Sequence, residues 1–192
     1  MNTQLITSSF ISNGFSRESH ADFFRENNGF INCVNFQIKT TGDVLFINLG
    51  VHPMFDQLDH RPYPKKEIDC YIRSRLSTNK PLSIALLDSP DDISFIINEI
   101  EEKSRTFFDF FSSIDDVFSL LSIDNIKEKN IATPLNGVTP VRLISMCMYY
   151  HILKNNIDVA RDFANYGVSI SGMGVSLKKV FKKILRDTES ND

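Results

Sequence analysis

Arg73 and Arg75 are the side chains whose type and spacing most directly suggest chemistry. Two residues apart on an extended segment, they project from one face about 7 Å from each other. A pair of guanidinium forks at that spacing suits a phosphate or a carboxylate, which makes both candidate anion-binding residues. Arg17 and Arg25 lie on an earlier extended stretch, and if the two faces coincide, four guanidinium groups share one patch. The plainer reading is a solvated sheet face with acidic neighbours. Asn35 and Gln37, opposite in parity to Phe36, are ligand-binding amides on the first reading and exposed strand polars on the second.

The second chemical signal is charge segregation. Between Asp91 and Asp124 nine acids face only Lys103 and Arg105, a local charge of −7. Glu99, Glu101, Glu102, Asp109, Asp115 and Asp116 in that stretch are the candidate partner-binding residues, because an acidic helical surface attracts a basic protein. The last helix is the converse. Lys178, Lys179, Lys182, Lys183 and Arg186 carry +5, with Leu177, Val180, Phe181, Ile184 and Leu185 as an apolar stripe. A basic amphipathic helix suits a membrane surface, an acidic partner or a nucleic acid, whereas a core helix with a solvated outer face has the same pattern. These opposed segments hide inside a net charge of only −3 over 192 residues.

Other chemistries find no constellation. The four histidines, His20, His52, His60 and His151, include no pair at i, i+4 and no HExxH. His52, Asp56, Asp59 and His60 share one Pro-rich stretch and could collect a cation, although such loops commonly carry these residues for solubility. There is no GxSxG elbow and no Walker lysine, and Gly172-Met173-Gly174 lacks the third glycine of a dinucleotide loop. Cys33, Cys70 and Cys147 are odd in number and far apart, as reduced, buried thiols would be. No cofactor is therefore expected. A domain without strong basic excess argues against wholesale nucleic-acid binding. The first residues lack the pattern of a signal peptide, and no apolar run approaches the roughly 18 residues that span a bilayer. A cytoplasmic protein is the expectation.

The elements that must position these groups follow from periodicity. Thr3 to Ile11 reads as a helix closed at Asn13-Gly14. Phe15 to Glu26 alternates partially, Asn27-Asn28-Gly29 supplies a tight turn, and Phe30 to Ile38 follows as a strand. Thr40 to Asp43 turns the chain into the apolar run Val44 to Val51, which completes a three-stranded meander. His52 to Lys66, with three of the seven prolines, reads as a long loop, and Glu67 to Leu76 as a fourth strand. From Asp88 the period becomes helical. Ser89-Pro90-Asp91-Asp92 opens a long amphipathic helix that runs to Phe111. Asp115 to Ser122 reads as a short helix and Ala132 to Gly137 as a linker. Thr139 to Leu153 and Ile157 to Tyr166 form an antiparallel helical pair, and Val175 to Leu185 forms the last helix. Strands followed by helices predict an α+β fold: an antiparallel sheet of about four strands with helices on one face, followed by an α-helical C-terminal part. The expected division is residues 1–125 as the α+β domain and 126–192 as a helical extension packed on it, with one single domain as the alternative.

Gly14-Phe15 with Arg17, Phe24-Arg25-Glu26-Asn27, Ile31 to Gln37 (INCVNFQ), Phe46 to Val51 (FINLGV) and Cys70 to Leu76 (CYIRSRL) together resemble the bacterial domain-of-unknown-function family numbered 4304. The resemblance covers roughly Leu5 to Phe111 and implies an α+β domain, but it brings no reaction and no catalytic residues. Small α+β domains of this style also look like immunity proteins of bacterial polymorphic toxin systems, a likeness at the level of fold only. The leading expectation is thus a non-enzymatic cytosolic interaction protein, an immunity protein that neutralises a toxin by direct binding. The alternative is a small-ligand or nucleic-acid binding domain that uses the basic sheet face.

Overall fold

Asn28 and Gly29, at φ 47° and 85°, form a two-residue turn with both centres left-handed. That twist matches the right-handed twist of the flanking strands, so the turn sets the register of the hairpin it joins. β2 (Asp22–Asn27) and β3 (Phe30–Ile38) accordingly pair antiparallel from Asp22↔Asn35 to Asn27↔Phe30. β1 (Ser16–Arg17) pairs β2, and β4 (Val44–Pro53) continues the sheet beyond β3. β5 (Ile72–Arg75) lies along Asn48 to Val51 of β4, and β6 (Leu82–Ser83) pairs Val44 and Leu45 of the same strand. The computed structural model describes residues 3–55, 63–78, 82–83, 90–172 and 175–189. Among them the sheet has six strands, in the order β1-β2-β3-β4-β5 with β6 on β4.

Two strand expectations change in detail. The stretch from Phe15 to Glu26 breaks in two because the Ser19 hydroxyl accepts hydrogen bonds from the backbone N–H groups of Ala21 and Asp22, which bends the chain between β1 and β2. Residues Glu67–Asp69 form a 3₁₀ turn rather than the start of a strand. The Asp69 carboxylate accepts from the N–H groups of Lys65 and Lys66, a local competitor for the sheet ladder.

The chain divides into two compact units. The first comprises residues 1–52 and 64–112. In it, α1 (Thr3–Ser12) and α2 (Pro90–Asp109) cover one face of the sheet. Phe10 of α1 packs on Phe36 at 6.0 Å between ring centroids, and Phe15 lies 5.6 Å from Phe108 of α2. Phe23, Phe30, Val34, Ile47, Leu49, Val51 and Ile72 on the sheet and Ile6, Ile96 and Ile100 on the helices are buried with them. Alternation places all the sheet members of this set on one face.

The second unit comprises residues 53–63 and 113–192. It contains α3 (Ile114–Phe118), α4 (Ile123–Lys127), α5 (Pro140–Leu153), α6 (Ile157–Ile170) and α7 (Val175–Glu189). Leu143 to Tyr150 of α5 are buried without interruption, so α5 is surrounded rather than laid on a surface. Ala160, Phe163, Ala164 and Gly167 line the buried side of α6. Gly167 admits the fully buried Phe181 of α7 so closely that a Cβ there would come within 2.6 Å of the ring. No helix among the described residues is long and apolar enough to cross a membrane.

Candidate functional site

The sheet face turned away from α1 and α2 carries a continuous polar ladder. The Ser19 hydroxyl donates to Asp22 at 2.9 Å, and Asn35 Nδ2 donates to the other Asp22 oxygen at 2.9 Å. Asn48 Nδ2 donates to Asn35 Oδ1 at 3.1 Å, and Arg75 Nε donates to Asn48 Oδ1 at 3.0 Å. Arg75 Nη2 closes the chain on Gln37 Oε1 at 3.2 Å. Asn35 and Asn48 thus each spend the acceptor on one neighbour and a donor on the next, while Gln37, among the described residues, only accepts, with a carboxylate at one end and a guanidinium at the other. Such a series polarises its members and fixes their orientation. Asp22 and Asn48 are buried, so the ladder also satisfies groups that would otherwise be costly to desolvate. The Arg75 guanidinium lies 4.4 Å over the Phe46 ring.

Arg73 is held separately. Its Nε and Nη2 form a fork on the two oxygens of buried Glu67 at 2.7 and 3.1 Å. This partner holds the Arg73 pKa above its ordinary value, against the opposing effect of burial. Gly50, opposite Arg73 on β4, makes room for the segment that carries Glu67. A Cβ at Gly50 would come within 2.8 Å of Cys70 Sγ and 3.2 Å of Glu67 Cγ. Cys70 in turn hydrogen-bonds Cys33, and that bond together with burial pushes the Cys33 thiol far up. The three cysteines are free, buried thiols, and burial raises Cys147 as well.

Both predicted anion-binding arginines are therefore on one face, and each already spends its Nε/Nη2 edge on a protein acceptor. Arg17 and Arg25 do not join them. Arg17 pairs with Phe23 across the β1–β2 ladder, and Arg25 shares the parity of Phe23, so both belong to the face that α1 and α2 cover. Arg17 donates to the backbone oxygens of Ser19 and His20.

The six predicted partner-binding acids separate into three kinds. Glu99 pairs with Lys103 at 2.7 Å, Glu101 accepts from the Ser9 hydroxyl, and Asp115 pairs with Lys154 at 2.7 Å. The Lys154 contact, helped by Tyr150, holds the Asp115 carboxyl below its usual range. Glu102, Asp109 and Asp116 are exposed. Glu99, Glu101, Glu102 and Asp109 stand on α2 in the first unit, whereas Asp115 and Asp116 stand on α3 in the second.

Around Glu102 the outer face of α2 has a feature that the acidic count did not single out. Phe95 is 65% exposed, and with Asn98, Glu102 and Thr106 it lines a groove of about 470 Å³. The signal was present in the sequence. Ile93, Ile96 and Ile100 form the buried stripe, and Phe95 falls outside that period. Asn48 was equally readable as a lone amide inside an apolar run, while Asp22 and Glu67 gave no such sign. On α7, Lys179, Lys182 and Lys183 are exposed. Among the described residues no three His, Cys, Asp or Glu side chains are grouped to hold a metal ion. Asp56, Asp59 and His60 of the proposed cation loop, and Met173 and Gly174, lie outside the described residues.

The family model described as Domain of unknown function (DUF4304) matches residues 6–119. No curated protein and no solved structure gives a significant match.

Proposed function

The chain belongs to the DUF4304 family, whose model spans more than half of it, and from that premise we propose that it is a non-enzymatic protein that binds a basic protein partner. The intended partner is a toxin, which this chain neutralises as an immunity protein by covering its working surface. The observation that carries the reading is Phe95, an aromatic side chain 65% exposed on a regular helix beside exposed Glu102. Interfaces concentrate their energy in a few aromatic anchors, and surrounding charge sets the choice of partner and the rate of encounter. A phenylalanine 65% exposed on a helix of 20 residues leaves most of its ring to water, and a partner with a pocket and a positive rim gains from covering it. The polar sheet face supports the same reading, because the Nε/Nη2 edge of Arg75 is spent on the ladder and that of Arg73 on Glu67.

The test uses a matched pair. Wild-type chain and the double variant Phe95→Ala, Glu102→Lys serve as baits in the native host, and any protein held only by wild type is expressed alone and beside the chain. The expected result is a protein that arrests growth alone, is harmless beside wild type, and regains toxicity beside the double variant. A partner retained equally by both baits, or one that is not toxic, overturns the reading.

A further inference from the structure

Arg73 and Arg75 spend the Nε/Nη2 edge of their guanidinium groups on protein acceptors, and Arg25 is the counter-example on the other face of the sheet. Its one hydrogen bond among the described residues runs from Nη1 to the Asn13 carbonyl at 2.9 Å. Nε is buried and has no partner among those residues. The group is sandwiched instead, 4.6 Å from the Phe15 ring and 5.8 Å from that of Phe108. Burial lowers the Arg25 pKa, with Asp109 opposing the shift.

Two further donors collect beside it. Ser104 of α2 is 3% exposed and its hydroxyl has no partner among the described residues. Asn32 stands directly opposite Arg25 in the β2–β3 register, fully buried, with its amide likewise unpartnered. Buried polar groups are nearly always paired, so the unpartnered Arg25 Nε and Ser104 hydroxyl on facing elements call for a common explanation, while Asn32 lies outside the cavity lining. Arg25 and Ser104 line one cavity of about 200 Å³ between α1, β2 and α2, walled by the rings of Phe10, Phe15 and Phe108.

We propose that this cavity is a binding site for a small monocarboxylate with an apolar body, the carboxylate paired with the Arg25 guanidinium and the body among the phenylalanine rings. The fork geometry selects a planar acceptor with two oxygens. The size suits a single ring, since a cavity of about 150 Å³ holds benzene. The charge selects against phosphate. Arg25, Arg105, Glu101 and Asp109 all line the cavity and sum to zero, so a monoanion leaves the site at −1 and a dianion at −2, and the two carboxylates oppose the dianion more. The same two acids would favour an ammonium group on the ligand, so a free amino acid and a simple carboxylate are two sources of one chemistry. This site stands apart from the outer face of α2 that carries the proposed partner surface.

The test is titration of the full-length chain with phenylacetate, L-phenylalanine and inorganic phosphate, read by the Nε–H resonance of Arg25 in nuclear magnetic resonance spectra. The expected result is a saturable displacement by phenylacetate, by phenylalanine, or by both, and none by phosphate. Phenylalanine binding more tightly assigns the ammonium to Glu101 or Asp109, and phenylacetate binding more tightly assigns a simple carboxylate. Arg25→Gln weakens binding at least about tenfold, the loss of one charged hydrogen-bonding group. Arg105→Glu, on an exposed position that leaves the core untouched, weakens it severalfold at low salt and serves if the first variant does not fold. No saturable displacement by either organic acid, an equal response to phosphate, or affinity unchanged in a folded variant overturns the proposal.

Discussion

The two faces of the sheet solve the same problem in opposite ways. On the polar face, Arg75 stacks on Phe46 and its Nε and Nη2 are spent on Asn48 and Gln37. On the helix-covered face, Arg25 stacks on Phe15, and the same edge has no acceptor among the described residues. A guanidinium on a phenyl ring is common to both, so aromatic stacking is not what distinguishes them. The difference is hydrogen-bond satisfaction, which separates a group that stabilises the fold from one that the fold keeps ready for something else.

Mutations can break or sharpen that contrast. The largest effect is expected from Asn48→Leu, which strands the acceptor of Asn35 and the donor of Arg75 at once. Urea unfolding should show a loss of about 2–3 kcal/mol, and a loss under about 0.5 kcal/mol would mean that the ladder is ornamental. Arg75→Met should cost about 1 kcal/mol, discounted because the side chain is exposed. Arg25→Met should cost no more than half of that, since only one hydrogen bond and the stacking are lost; the reverse order would undo the comparison. Ser104→Ala removes a buried hydroxyl with no partner among the described residues, and stability should stay level or rise by up to about 1 kcal/mol in the same measurement.

The weakest contrast comes from the second unit. His151 stacks on Phe163 at 5.4 Å, its Nδ1 is unpartnered among the described residues, and burial lowers its pKa from 6.5. Arginine cannot shed its proton in this way and histidine can. The folded state therefore binds the proton less readily than the unfolded chain. Stability is complete above about pH 6.5 and declines as the pH falls from there toward the lowered folded value. Thermal melts between pH 8 and 5 should show that decline, and His151→Leu should flatten it.

Much of the frame was legible from residue types. The Asn28-Gly29 turn, the meander, the Pro90 helix start and the paired helices after Thr139 are local signals, and each reappears as an element. Strands β1 and β6, of two residues each, were not legible, because so short a run has no period and exists only through the partner it pairs with. The short 3₁₀ turn at Glu67 was hidden by an alternating pattern that suits a strand equally well. The helix α4 was missed too; its Ser122 and Asn125 form a reciprocal cap, a signal available in the sequence.

The arginines mark the limit most clearly. Residue type and parity were enough to state that Arg73 and Arg75 share a face, because the strand period is local chemistry. Whether Arg17 and Arg25 share that face with them depended on the pairing register and on which side the helices took. Which donors find acceptors depended on residues far away in the chain: Asn48 for Arg75, 27 positions distant, and, among the described residues, none for Arg25 beyond Asn13. Period and propensity act over a few residues, and so a sequence states them directly. Desolvation and hydrogen-bond satisfaction are properties of neighbours that only the folded chain brings together.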